Sequence, residues 1–222
     1  IPSAVGPSPS GGAVHRCVDT AGGGSLSWFG DAALGADGNG YNVTGEVFIP
    51  ANGTSADAHA IGLGICVRSG TNFFGTDSRA GYESGYWIIY ENAAGVNLAD
   101  GQPDHPGVLH FVWAHNEGGS VPPTTLLASV PLASTGVTPG TWTTFRLSIN
   151  PNAPGDKLLA VLNGTTIYSG PIPEGGPTSG AFVVGYRENH TGAPLAYEGA
   201  WIDNISINGA TVPVEVSAFS VE

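Results

Sequence analysis

The feature that most constrains this chain is a run of segments in its last third. GTWTTFRLSI, DKLLAVLNGTTIYSG, SGAFVVGYREN and EGAWIDNISI follow one another, each short, alternating or apolar, and each closed by Gly, Pro or Asn. Alternation at period two marks a strand with one face in a core. Asn163-Gly164 is the dipeptide of a tight hairpin, because both central residues of such a turn take positive φ. The series predicts consecutive antiparallel strands. Upstream, AVHRCVD, SLSWF, GYNVTGEVFIP, HAIGLGICVR, GYWIIYEN, VLHFVWAH and TTLLASVPL continue the pattern, and TVPVEVSAFSVE ends it. In HAIGLGICVR, Ile61, Leu63, Ile65 and Val67 fall on one face and Gly62, Gly64, Cys66 and Arg68 on the other, which predicts a half-buried strand.

These segments give about thirteen strands, the number that fills two packed sheets. With 35 Gly and 17 Pro in 222 residues, the chain is punctuated too often for helices, and nothing repeats at helical spacing over a helix length. A hydrophobic content of 41% is enough for a substantial core. The expected fold is all-β: an antiparallel two-sheet β-sandwich (jelly roll) with no substantial helix. Residues 1–12 read as a Pro/Gly/Ser-rich N-terminal tail, 13–210 as the sandwich, and 211–222 as a C-terminal strand or the junction to a missing module.

Charge narrows the partners. Six basic residues against eighteen acidic ones leave a formal net charge of −12, which repels phosphate backbones and anionic membranes and attracts cations such as Ca²⁺. Nucleic acid is therefore not an expected partner. No run of 18 or more apolar residues is present, so no membrane-spanning helix is expected. The chain contains no methionine and begins at Ile1. That pattern predicts a mature, secreted or cell-surface form whose leader has been removed. In that compartment Cys17 and Cys66, the two cysteines, are expected to form one disulfide, the alternative being two separate buried thiols. Closing a loop of that length would stabilise the fold by roughly 4 kcal/mol.

Four short motifs in order carry a resemblance: Gly81-Tyr82-Glu83, Gly140-Thr141-Trp142, Leu162-Asn163-Gly164 and Asp203-Asn204-Ile205. The chain resembles the concanavalin A-like lectin/glucanase superfamily of β-sandwiches over roughly residues 25–208, in a laminin-G-like or sugar-hydrolase-like branch. Catalytic members of the laminarinase type carry ExDxxE on one strand, which sets acid and nucleophile at the short separation a retaining glycosidase needs. That motif is absent here. Glu83, Glu91, Glu188 and Glu198 are the nearest approaches, and none stands two or four positions along a strand from a second carboxylate.

Binding chemistry has three candidate sets. Sandwiches of this superfamily often hold a structural Ca²⁺ where the last strand meets an early loop. The resemblance points there to Asp203, expected to face inward with Ile205 and Ile207, together with Asp31, Asp37 and Asn39 of GDAALGADGNG as oxygen donors. Tyr82, Tyr86, Trp87 and Tyr90 cluster on one segment and, with Trp113, form a candidate platform for stacking against sugars, whereas Trp142 and Trp201 read better as packing residues. Asn42, Asn52, Asn163, Asn189 and Asn204 each open an N-x-[ST] sequon. His110 and His115, five apart, fall on opposite sides of one strand and form no ligand pattern.

Three functions fit this inventory. The first is a non-catalytic structural or adhesive extracellular subunit that self-associates into a filament or matrix through its terminal segments, 1–14 and 211–222. The second is a carbohydrate-binding module of a larger secreted protein, and the third is a glycoside hydrolase. The missing carboxylate motif places the first two ahead of the third.

Overall fold

A computed structural model describes residues 15–17, 25–29, 33–51, 58–68, 84–94, 103–115, 124–189, 199–208 and 210–211. Among them the chain forms thirteen strands. They are β1 (His15–Cys17), β2 (Ser25–Phe29), β3 (Tyr41–Ile49), β4 (Ala58–Val67), β5 (Gly85–Glu91), β6 (Val108–Ala114) and β7 (Thr124–Pro131), then β8 (Thr141–Ile149), β9 (Leu158–Leu162), β10 (Thr165–Gly170), β11 (Ala181–Asn189), β12 (Ala200–Ile207) and β13 (Ala210–Thr211). The helical element among the described residues is one 3-10 turn, Leu132–Thr135. No helix there is long and apolar enough to cross a membrane.

All pairings are antiparallel. Sheet A runs β1-β12-β3-β8-β9-β10, with β13 also on β12, and sheet B runs β2-β11-β4-β5-β6-β7. The expected hairpin joins β9 to β10: Leu162 faces Thr165, and Asn163 and Gly164 take φ of 49° and 75°. Alternation sorts β3 and β8 as their sequences imply. Tyr41, Val43, Val47 and Ile49 pack inward against Phe145, Leu147 and Ile149, while Asn42, Thr44, Glu46, Thr144 and Arg146 lie on the outer face of sheet A.

β4 departs from its expectation. All ten of its residues are buried, so it is buried on both faces rather than half-buried. Ile61, Leu63 and Ile65 fill the space between the sheets, and Ala58, Ala60 and Val67 join a second apolar layer on the outer face of sheet B with Trp87, Ile89, Val112 and Val183. Parity breaks at Cys66, whose φ of 56° turns its side chain into the inter-sheet core beside Ile65. Glycines make that kink possible. A Cβ on Gly85 would come 2.6 Å from the Ile65 carbonyl oxygen, and one on Gly180 would come 2.4 Å from the Cys66 carbonyl carbon.

The expected Cys17–Cys66 disulfide is not formed; Cys66 is a free, buried thiol. Strand geometry is the reason. Cys17 pairs with Ala200 at the start of β12, alongside the Ile49 end of β3, whereas the Cys66 N–H bonds to the hydroxyl of Tyr41 at the other end of β3. Eight residue steps at about 3.3 Å put the two cysteines roughly 26 Å apart along the sandwich, against a Cα separation below about 7 Å in a disulfide. The terminal tail 1–12 and the alternating segment 212–222 lie outside the described residues.

Candidate functional site

Residues directly opposite one another on neighbouring strands share a face, so the register of sheet B maps its outer surface. One row runs Trp28, Val183, Gly64, Trp87, Val112 and Leu126 from edge to edge. The next runs Leu26, Gly185, Gly62, Ile89, His110 and Ser129. A third holds Arg187, Ala60 and Glu91. The middle of the face is flat because Gly62, Gly64 and Gly185 carry no side chain. Over Gly64 lies the Trp87 indole: a Cβ there would come 2.7 Å from its ring. The Trp87 N–H donates to the Ser84 carbonyl at 3.1 Å, which fixes the ring in that position.

The two ends of the first row are open. Trp28 is 42% exposed and Leu126 39%, and these are the exposed large hydrophobic side chains among the described residues. Both stand on edge strands, β2 and β7. Trp28 projects its indole from the rim of a face that is otherwise buried. Single exposed apolar residues are ordinary, but an exposed indole on an edge strand is a surface on which a flat apolar group can stack.

The third row ends in a polar cluster. Arg187, Glu91, His105 and His110 are all buried. Glu91 Oε2 accepts the backbone N–H of His105 at 2.7 Å, and Glu91 Oε1 lies 3.9 Å from His105 Nε2. His105 Nδ1 is 3.2 Å from the Val108 carbonyl, so Nδ1 carries the proton and donates it there. The His105 and His110 rings stack with centroids 3.5 Å apart. Glu91 therefore closes the β5–β6 connection, assisted by the Gly107 N–H bonding to the Glu91 carbonyl at 3.0 Å. Glu188, the other carboxylate on a sheet B strand considered from the sequence, points the opposite way. It shares the inner side of β11 with Tyr186, whose hydroxyl donates to it at 2.9 Å. Glu91 and Glu188 thus stand on opposite faces of the sheet.

The sequence-predicted sugar platform is not at the surface. Tyr86 and Tyr90 are in the core between the sheets, and Trp87, on the opposite face, is equally buried. All seven residues of β5 are buried, so both of its faces are covered. Burial pushes the phenols of Tyr86 and Tyr90 up, Tyr90 to about 12. Trp113 is half-buried, 6.5 Å from Tyr86 and stacked on His115 at 3.6 Å. Tyr82 lies outside the described residues. The residue that sequence reasoning missed is Trp28. SLSWF has apolar side chains on both faces, Leu26 and Trp28 against Phe29, and its edge position, which alone exposes Trp28, is a property of the sheet order.

Asp203 also differs from expectation. It faces outward, opposite Glu46, while Ile202, Ile205 and Ile207 are the inward residues. A bulge between Asp203 and Ser206, with Asn204 at φ 52°, inserts one residue and reverses parity. Asp203 Oδ1 accepts the Asn204 N–H at 2.8 Å. Asp37 is occupied locally, accepting the Asn39 N–H at 3.0 Å and its side-chain amide at 2.9 Å, and the backbone donor holds its carboxyl below the usual range. Five steps of β3, roughly 16 Å, separate Glu46 from Tyr41, where the Asp37 and Asn39 loop enters. Asp31 lies outside the described residues, and no group of three His, Cys, Asp or Glu suited to a metal is found among those described. Trp142 and Trp201 do pack, but with Phe48 on the outer face of sheet A rather than between the sheets.

No protein-family profile and no curated protein sequence matches the chain. Its architecture does match solved structures. The carbohydrate recognition domain of Emp46p, in its potassium-bound form, aligns with a TM-score of 0.53 at 11% identity, covering 90% of this chain and 89% of that one. The carbohydrate-binding module CBM66 of Bacillus subtilis aligns with a TM-score of 0.43 at 11% identity, covering 88% and 92%. An alginate lyase of Pseudomonas aeruginosa aligns with a TM-score of 0.40 at 11% identity; the match covers 77% of this chain and 64% of the lyase. The fold of this chain is an antiparallel two-sheet β-sandwich like that of the Emp46p domain.

Proposed function

We propose that this protein is a lectin-like, saccharide-binding β-sandwich acting outside the cell, with its binding surface at the β2 rim of sheet B, around Trp28. The observation that carries the reading is the exposed indole of Trp28, set on the edge strand β2 at the rim of sheet B. A pyranose presents one apolar face, and stacking on an indole buries that face while leaving its hydroxyls to polar partners. The Emp46p domain, itself a carbohydrate recognition domain, has the same fold, which supports the reading at the level of architecture.

The test is glycan-array capture by the full chain and by Trp28→Ala. Retention of a defined set of glycans, weakened about tenfold in the variant, is the expected result; tenfold corresponds to about 1.4 kcal/mol. Capture of no glycan, or equal capture by the variant, would sink the proposal.

A second reading, self-assembly through the termini, rests on a different observation. β1 and β13, the first and last strands described, lie in line on one edge of β12. β1 pairs with Ala200 to Ile202, and β13 with Ser206 and Ile207. An edge served by both terminal segments is suited to accept one from a neighbouring copy by strand addition. Light scattering of the full chain and of a chain lacking residues 1–17 separates the cases: assembly is expected to disappear with β1, and its persistence would remove β1 from the contact.

A further inference from the structure

One residue from each of three of the five sequons lines a single groove, although 162 positions separate the first of those sequons from the last. On the outer side of sheet A an open groove of about 380 Å³ is lined by Thr44, Glu46, Thr144, Arg146, Gly164 and Asn204, among others. Thr44 is the hydroxyl residue of the Asn42 sequon, Gly164 the middle residue of the Asn163 sequon, and Asn204 the acceptor of its own. Thr44 also pairs directly with Ser206, the hydroxyl residue of the Asn204 sequon. Two of these asparagines stand clear of the sheet. Asn163 is exposed at the tip of the β9–β10 hairpin, and Asn204 is exposed on the β12 bulge, both with left-handed backbone.

We propose that Asn163 and Asn204 are N-glycan attachment sites and that the outer face of sheet A is the glycan-bearing face. The chemistry is available at both. Asn163 Nδ2 donates to the Thr135 carbonyl at 3.2 Å and Asn204 Nδ2 donates to the Glu46 carboxylate, so each amide nitrogen uses one hydrogen and has a second to give up. With a lipid-pyrophosphoryl oligosaccharide as donor, Nδ2 attacks the anomeric carbon. The N–C1 bond forms, the C1–O bond to pyrophosphate breaks, the displaced amide proton goes to base, and lipid pyrophosphate leaves. The remaining N–H keeps its existing acceptor. The attached sugars would then extend over the groove, whose mixture of Glu46, Arg146 and threonine hydroxyls supplies hydrogen-bonding partners. The exposed rim of sheet B at Trp28 would stay free of these sugars.

The experiment is secretion of the full chain from an N-glycosylating eukaryotic host, followed by intact-mass measurement and enzymatic deglycosylation in heavy-oxygen water, which marks each occupied asparagine. Marks at Asn163 and Asn204 are expected. Thr165→Ala and Ser206→Ala, which leave both asparagines and their backbone geometry in place, should each lose the mass of one glycan. An unmodified chain, or marks confined to Asn52 or Asn189, would overturn the proposal. Neither result depends on saccharide capture by sheet B.

Discussion

The phenol of Tyr41, at the start of β3 in sheet A, reaches across the sandwich and accepts the backbone N–H of Cys66 in sheet B at 2.7 Å. The same hydroxyl lies 3.4 Å from the Ala181 carbonyl, to which it donates. One side chain thus ties β3 to β4 and β11, at the point where the Cys66 backbone leaves the ladder. Tyr41→Phe keeps the ring and removes the tie, stranding a buried N–H. The expected loss is about 1–3 kcal/mol, read as a lower urea midpoint at unchanged slope.

High pH should unfold this protein through its buried acids. Burial pushes the Cys66 thiol up from 9.0 to about 12 and the Tyr90 phenol from 10.0 to about 12, and raises Tyr41 and Tyr86 as well. Above the unfolded-state value the unfolded chain releases a proton that the folded chain retains, so stability falls as pH rises. These groups contribute no slope below about pH 8. The decline begins near pH 9 with the thiol and steepens above 10 with the phenols. Urea midpoints measured from pH 7 to 11 check this, and Cys66→Ala should delay the onset by about one pH unit.

Cys66 should also behave as a single buried thiol. In native protein an aromatic disulfide reagent should leave it unreacted, and in denaturant it should react without prior reduction. A requirement for reductant would contradict the free thiol found here.

Gly64→Ala tests the covering of sheet B. The new methyl would meet the Trp87 ring at 2.7 Å, and that ring is fully buried and held by Ser84. The expected cost is about 1–3 kcal/mol of overpacking, with a change in tryptophan fluorescence reporting the displaced indole. Gly38→Ala, where the added atom meets nothing within 4 Å, serves as the comparison, although its φ of 80° carries backbone strain of its own.

Much of this architecture is legible in the residues. Period-two alternation predicts β3 and β8, because a strand between a core and solvent must sort its side chains by face. Asn163-Gly164 predicts its hairpin because few other dipeptides accept two positive φ angles. The limits show at Cys66 and Asp203. At each, one residue with left-handed backbone reverses parity, placing Cys66 inside and Asp203 outside, and a bulge leaves no mark in a simple apolar pattern.

The sequence by itself determined the fold class, the approximate strand number and the acidic character, since these follow from local periodicity, turn chemistry and composition. Tertiary structure decided which strands became edges and which faces became surface. Tyr86, Trp87 and Trp28 are all aromatic residues on strands, yet of the three only Trp28 meets solvent: apolar layers cover both faces of β5, whereas β2 stands at the rim of sheet B. The meeting of Thr44, Gly164 and Asn204, from three separate sequons, at one groove of sheet A has the same origin. Strand order is set by pairings distant along the chain, and no local window of sequence contains them.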